Sequence, residues 1–131
     1  MSEGNIETVR ALYQAMNARD EDRARELVDA DAEWISDPRV GMGPLIGRDE
    51  VIAFFQDQAE MFDELRIDVE ELSDAGHKVV AFIKVSGVGR ASGARTEISI
   101  AHVWTVRDGA VVVGEGFGDR GEALRSAGLS E

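Results

Sequence analysis

The sequence predicts an α+β fold in which N-terminal helices pack against one curved antiparallel sheet. In the first half of the chain, apolar residues recur at the spacing of one helix face, whereas from Arg66 onward they alternate with a period of two. The segment from Ala94 to Asp119 is typical of a long β-hairpin, because Asp108-Gly109 separates two alternating arms. Helices followed by a run of antiparallel strands indicate the α+β class, and a long twisted sheet is expected to curve.

Three helices are expected before the sheet. Residues 5 to 18 form an amphipathic helix, and Asp20 caps a short second helix. Asp49 caps a third helix, whose apolar stripe comprises Val51, Ile52, Phe55, Ala59 and Phe62. Between the second and third helices we expect a short strand over residues 32 to 36 and an irregular loop over residues 37 to 47. Loops of that kind often border binding sites.

The other predicted elements follow in chain order. Residues 66 to 72 form a strand, a turn follows at residues 74 to 76, and residues 77 to 88 form the next strand. The hairpin supplies two more strands. After it, Asp119 and Glu122 match a capping box at the start of a terminal helix, which Gly128 ends.

The alternation in the hairpin assigns its residues to faces. One face of the first arm carries Ile98, Ile100, His102, Trp104 and Val106. One face of the second arm carries Val111, Val113, Glu115 and Phe117. The opposite face of that arm carries glycines at positions 114, 116 and 118, which would ease bending or close approach. Glu115 is therefore a lone carboxylate on an otherwise apolar strand face.

Composition limits the class of protein. At 131 residues, 44% of them hydrophobic, the chain fits one domain over residues 1–131. A net charge of −12 disfavours binding to nucleic acid or to a membrane surface, since both are anionic. The absence of cysteine excludes thiolate chemistry and leads us to expect a cytoplasmic protein. The two histidines lie outside any zinc-binding motif, so neither a metal nor another cofactor is expected.

Four polar residues are candidates for a site, each with a structural alternative. Glu115 would act as a general acid or base if burial raised its pKa, or it forms an ion pair. His102 would exchange protons near neutral pH, or it is a core histidine with one satisfied ring nitrogen. Asp37 would be a base at a pocket mouth, or it shapes an Asp-Pro turn. The Tyr13 hydroxyl would meet a ligand, or Tyr13 packs with its hydroxyl at an edge of the core.

Several segments together resemble a known superfamily. These are VRALYQAMNARD in the first helix, LVDADAEW into the first strand, IGRDEVIAFF at the third helix, HVWTVRDGAVV in the hairpin and DRGEALRSAGL at the end. In this order they resemble the nuclear transport factor 2-like superfamily, and within it the SnoaL-like polyketide cyclase and ketosteroid isomerase group. The resemblance implies a cone-shaped fold, an apolar pocket inside it and a homodimer through the outer sheet face. Members include isomerases, cyclases, dehydratases and epoxide hydrolases, and others have no known chemistry.

The resemblance carries over to individual positions. Asp37-Pro38 is similar to the setting of the ketosteroid isomerase base, and Glu115 to an acid on the last strand of cyclase-type members. The oxyanion-hole positions of the isomerase fall on Leu12 and Ala101, so the resemblance does not extend to steroid isomerase chemistry. It also places Ala101 on the pocket side, whereas the hydrophobic pattern places His102 on the apolar face. Both assignments stay open at this point.

Two functions follow as expectations. The first is an isomerase- or cyclase-type enzyme that transfers protons on a small apolar carbonyl compound or polyketide-like metabolite. Its expected catalytic residues are Glu115, Asp37 and His102, and its expected substrate-binding residues are Tyr13, Trp34, Phe55, Val113 and Phe117. The second is a non-catalytic module of the same fold that binds a ligand or dimerises. In either case we expect a homodimer, to which Ile98, Ile100 and Trp104 contribute apolar area.

Overall fold

The computed structural model describes residues 2–129, which form four α-helices and six strands. The helices are α1 (Ser2–Ala18), α2 (Glu21–Leu27), α3 (Arg48–Glu60) and α4 (Arg120–Ser126). The strands are β1 (Val28–Ile35), β2 (Leu45–Ile46), β3 (Phe62–Ala75), β4 (Lys78–Gly89), β5 (Arg95–Arg107) and β6 (Ala110–Phe117). A single 3₁₀ turn, Pro38–Val40, lies in the loop after β1. No helix in this part of the chain is long and apolar enough to cross a membrane.

The strands form one curved, unclosed sheet in the order β2-β1-β6-β5-β4-β3. The predicted α+β fold is confirmed, with one correction to the sheet. Strands β3 to β6 are antiparallel neighbours, but β1 pairs with β6 in parallel, so the sheet is mixed. The α1–α2 pair precedes β1 and returns the chain to the far side of β6, where Val28 pairs with Val111. Strand β1 consequently begins four residues before the predicted residue 32.

Helix ends agree with the predicted caps at two of three sites. Asp20 accepts a hydrogen bond from the Arg23 backbone at α2, and Asp119 accepts one from the Gly121 backbone at α4. The prediction that Asp49 caps α3 is wrong. Gly47 is the cap, because its φ of 100° turns the chain into the helix two residues earlier. Helix α3 also ends before Phe62, which begins β3 instead of extending the helical stripe.

The β5–β6 hairpin turns at Asp108 and Gly109, with φ values of 52° and 78°. These left-handed conformations are those of the tight turn predicted from the Asp-Gly pair. The predicted faces of β6 need correction, because Thr105 pairs with Val113 while Val106 pairs with Val111. Val112 is the extra residue of a β-bulge, so Val111 and Val113 lie on opposite faces of the sheet.

The two faces of the sheet are covered by different helices. Helices α1, α2 and α3 cover the inner face, and buried residues there include Val9, Leu12, Val51, Ile83, Trp104 and Val106. Helix α1 also binds the sheet edge, since the Asn17 amide exchanges two hydrogen bonds of 2.8 Å with the Ile67 backbone. Helix α4 covers part of the outer face, where Val80, Phe82, Ala101, Val103 and Ala123 form a second buried cluster.

The expected dimer surface also needs correction. Ile98, Ile100 and Trp104 lie on the inner face with the helices, so they do not supply apolar area to an outer interface. On the outer face, the apolar residues of the second cluster pack against α4. The homodimer itself stays a prediction, but Ile98, Ile100 and Trp104 are no longer expected in its interface.

Candidate functional site

A cavity of about 790 Å³ lies between the helices and the inner face of the sheet. Its wall is mainly aliphatic and aromatic, and includes Leu12, Met16, Trp34, Ile52, Phe54, Phe55, Ile67, Ile83, Val85, Ile100, His102 and Trp104. Charged residues that border the cavity are exposed, namely Arg19, Asp20, Glu21, Asp57, Glu60 and Arg90. The cavity therefore has an apolar interior and a charged rim.

His102 is the buried ionisable side chain on this wall, with 5% of its surface exposed. It lies on β5, and its Nδ1 is 2.8 Å from the hydroxyl oxygen of Tyr13 on α1. The indole Nε1–H of Trp104, two residues along β5, donates to the same oxygen at 2.8 Å. Burial lowers the pKa of His102 to about 4 and raises the pKa of Tyr13 well above its usual value. Both side chains are therefore neutral near pH 7.

Aromatic side chains surround the imidazole. The Trp34 ring meets the His102 ring edge-on with centroids 5.1 Å apart, and Trp104 does so at 5.6 Å. Phe55 of α3 packs edge-on against Trp34 at 4.9 Å. The Trp34 indole N–H donates to Ser36 Oγ at 3.1 Å, so it takes no part in the hydrogen bond between Tyr13 and His102. Trp34 and Phe55 thus lie on the cavity wall, where the sequence interpretation put them, whereas Tyr13, also expected to bind substrate, lies behind that wall.

Gly114 of β6 lies directly beneath the two tryptophans. A Cβ atom at this position would be 2.5 Å from the Trp104 ring and 2.7 Å from the Trp34 ring. Such distances leave no room for a side chain, so the indoles occupy the space above the strand. The close approach predicted for the glycines of this arm is present at Gly114.

Glu115 lies on the outer face of the sheet, away from the cavity. It pairs with Val103, which belongs to the cluster under α4, and Phe117 packs against the same cluster. The cavity wall does not include Glu115, Phe117 or Val113. The expectation that these three residues line the pocket is therefore wrong, because after the bulge β6 turns its glycines inward and its larger side chains outward.

Asp37 follows β1 and fixes the loop that begins there. Its carboxylate accepts hydrogen bonds from the backbone N–H and Nε of Arg39 and from the Gly118 backbone N–H, at 2.9 to 3.0 Å. Arg39 also donates to Glu122 of α4 at 2.7 Å, which takes Glu122 away from the predicted capping box. The hydrogen bonds from Arg39 and Gly118 hold the pKa of Asp37 below its usual range. Asp37 is an ionised anchor between the loop and β6, and it does not line the cavity.

The conflict over β5 is settled by its packing. His102 faces the cavity and Ala101 faces α4, as the hydrophobic pattern predicted and contrary to the carry-over from ketosteroid isomerase. Sequence reasoning missed the link from Trp104 through Tyr13 to His102. The i, i+2 spacing of His102 and Trp104 signals a shared face, but nothing local identifies Tyr13 as their partner.

The cavity can hold a largely apolar molecule against the His102 imidazole. A neutral imidazole in an apolar wall can exchange a hydrogen bond with a ligand, and that bond is stronger there than in water. Among residues 2–129 there is no group of three or more histidine and carboxylate side chains that could hold a metal ion.

Comparison with known proteins gives one family and many related folds. A model of the SnoaL-like domain matches residues 9–113, and no curated protein matches the chain. A solved NTF2-like protein of unknown function from Burkholderia pseudomallei K96243 is 28% identical, with a TM-score of 0.76 over 95% of this chain and 97% of that one. A proposed SnoaL-like polyketide cyclase from Jannaschia sp. CCS1 is 24% identical, with a TM-score of 0.81 over 89% of this chain and 86% of that one.

A third solved structure is more distant in sequence. It is a protein with a ketosteroid isomerase-like fold from Catenulispora acidiphila DSM 44928, in complex with trimethylamine. It is 15% identical, with a TM-score of 0.75 over 94% of this chain and 93% of that one. The likeness to this protein and to the Jannaschia protein shows a shared fold. The family match spans residues 9–113, which is well over half of this chain. The chain therefore belongs to the SnoaL-like domain family of the NTF2-like superfamily.

Proposed function

We propose that the chain binds a small, largely apolar carbonyl compound or polyketide-like metabolite in the cavity and acts on it as an isomerase- or cyclase-type enzyme. One observation carries the proposal: His102 is a buried, neutral imidazole on the wall of a mainly apolar cavity. Membership of the SnoaL-like family supports the reaction class, since cyclases and isomerases are common in it. In this function His102 contacts the oxygen of the compound.

The size and lining of the cavity support the type of ligand. A volume of about 790 Å³ lies within the range of about 300–1,000 Å³ found for small-molecule sites. The interior walls from α1, α3 and the sheet are aliphatic and aromatic, so a ligand with several polar groups would leave most of them without partners. A compound with an apolar body and one oxygen near His102 would have no polar group without a partner.

A second candidate is a binding module that holds such a compound without turnover. It is favoured by where the carboxylates lie. In the part of the chain that the structure describes, the carboxylates bordering the cavity are exposed on its rim: Asp20, Glu21, Asp57 and Glu60. A general base must reach the proton that it removes, and a rim carboxylate meets only the part of the ligand near the opening.

A ligand screen followed by an exchange assay tests both candidates. Carbonyl compounds that bind in the cavity should raise the free energy of unfolding, by about 2.7 kcal/mol at a hundredfold excess over Kd. His102→Gln should weaken this effect. His77→Gln is the matched control, since His77 is exposed and lies outside the cavity wall. If no carbonyl compound or aromatic ketone stabilises the protein, the proposed binding is wrong.

Turnover separates the enzyme from the module. For a ligand found in the screen, deuterium uptake from D₂O at carbon beside the carbonyl, or ring closure, is measured by mass spectrometry. Uptake or closure that depends on His102 supports the enzyme. Tight binding with neither change supports the module and contradicts the enzymatic proposal.

A further inference from the structure

We infer that His102 meets its ligand as a hydrogen-bond donor through Nε2–H, and that Trp104, acting through Tyr13, is the positioning residue that fixes this tautomer. The inference about the ligand rests on the proposed function. The inference about the tautomer concerns the free protein and stands separately. Together they narrow the substrate class to compounds that present an acceptor oxygen, such as a ketone or an enolate.

The direction of the first hydrogen bond is set by chemistry. The indole nitrogen of Trp104 has a hydrogen and no lone pair available, so it can only donate. It lies 2.8 Å from the Tyr13 hydroxyl oxygen, which therefore accepts. Tyr13 is 1% exposed, and the hydroxyl keeps its own hydrogen, because burial raises its pKa.

The second hydrogen bond follows from the first. Within residues 2–129, the only other polar partner of the Tyr13 hydroxyl is His102 Nδ1, at 2.8 Å. The hydroxyl hydrogen must therefore point at Nδ1, which accepts it as an unprotonated nitrogen. A neutral imidazole carries one hydrogen, and with Nδ1 unprotonated that hydrogen is on Nε2.

Nε2 meets the cavity. In the described part of the chain, no fully enclosed side-chain nitrogen or oxygen lacks a hydrogen-bond partner. The one partner of the His102 side chain there is Tyr13, and it occupies Nδ1. Nε2 therefore has open space beside it, and the cavity is the space that the ring borders. The cavity presents an N–H group that is fixed before any ligand enters.

A fixed donor selects for one kind of ligand atom. An acceptor oxygen, such as that of a ketone, gains a hydrogen bond that strengthens as negative charge develops on it. A base at this position would need an unprotonated Nε2. Nδ1 would then carry the hydrogen. The Tyr13 hydroxyl would have no acceptor for its own hydrogen, although its oxygen would still accept from the Trp104 indole N–H. His102 consequently acts as an electrophile toward the ligand and not as its base.

Nitrogen NMR of the free protein tests the tautomer. The chain has two histidines, and loss of one imidazole signal set in His102→Gln assigns the other to His77. At pH 7, long-range ¹H–¹⁵N spectra should show His102 Nδ1 as unprotonated and Nε2 as protonated. A predominant Nδ1–H form would overturn the inference.

Two tryptophan variants test the role of Trp104. Trp104→Phe removes the indole donor, which frees the Tyr13 oxygen to accept from Nδ1–H, so a second tautomer should become populated. Trp34→Phe is the matched control, because Trp34 also packs edge-on against His102 but donates to Ser36, and it should keep the single tautomer. If Trp104→Phe does not fold, Tyr13→Phe breaks the link at the hydroxyl that donates to Nδ1, so Nδ1 is no longer held unprotonated and a second tautomer should appear. A wild-type spectrum in the variant that breaks the link refutes the positioning role.

A matched pair of probes tests the ligand. 2-Acetylnaphthalene carries an acceptor oxygen, and 2-ethylnaphthalene has the same body without it. The ketone should bind about fivefold more tightly to wild type, as expected for one hydrogen bond, and the difference should vanish in His102→Gln. Equal affinities in wild type overturn the donor contact. If neither probe binds, the proposed function fails, while the NMR result still decides the tautomer.

Discussion

Lowering the pH from 7 to 5 should destabilise the protein through His102. Because burial lowers its pKa in the folded state, the unfolded chain binds the proton more readily, and stability rises with pH across this range. The contribution is fully present above the unfolded pKa of 6.5 and is lost as the pH falls toward 4. A pKa that falls from 6.5 to about 4 on folding corresponds to about 3 kcal/mol, of which about 2 kcal/mol is lost between pH 7 and pH 5.

Urea unfolding at both pH values measures this loss. Wild type and His102→Gln share every other titrating group, so the difference between their pH dependences isolates His102. Tyr13 is the titratable side chain in direct contact with it, and stays protonated at both pH values. The lowered pKa of Asp37 acts in both proteins and cancels. If wild type and His102→Gln lose the same stability on acidification, His102 is not a buried neutral imidazole.

Three further substitutions test the packing and the assignment of faces. Gly114→Ala should cost about 1–3 kcal/mol in urea unfolding, because its Cβ would overlap two indole rings. Gly43→Ala, which enters open space, should leave stability near wild type, and equal effects would refute the crowding. Asn17→Ala should cost about 1–3 kcal/mol, since the half-buried Ile67 backbone loses two partners, and an unchanged unfolding midpoint would contradict this. Glu115→Gln should leave the Kd for 2-acetylnaphthalene unchanged by calorimetry, whereas a several-fold loss would place Glu115 near the ligand.

Local interactions made most of the fold predictable. Helical spacing in the first half of the chain, alternation in the second half and the Asp108-Gly109 turn depend on neighbours within a few residues, and the structure follows them. The caps at Asp20 and Asp119 are local in the same sense. The parallel pairing of β1 with β6 was not predictable in this way. It joins residues more than 75 positions apart, and no local feature of either strand specifies its partner.

The candidate site was predictable only in part, because its contacts come from distant elements. The alternation in β5 correctly assigned His102 to the inner face. Its partner Tyr13 lies 89 residues away on α1, and that contact depends on how the helix crosses the sheet. Tyr13 follows Leu12 by one helix position, so the two side chains project about 100° apart, and the rotation of α1 about its axis decides which of them meets β5. The resemblance to ketosteroid isomerase could not supply this rotation, so the hydroxyl–imidazole pair emerges only from the packed structure.

The misassignment of Glu115 has a physical cause in the glycines of β6. A strand face with larger apolar side chains suggests the core, so Glu115 was expected beside the pocket. In the structure the glycine face is the crowded one, because Trp34 and Trp104 lie across Gly114 and fill the volume that side chains of β6 would occupy. Large rings contributed by neighbouring strands require small residues beneath them. Glycines at alternate positions, facing tryptophans on paired strands, thus indicate the inner wall of the cavity, and the carboxylate between them belongs to the outside.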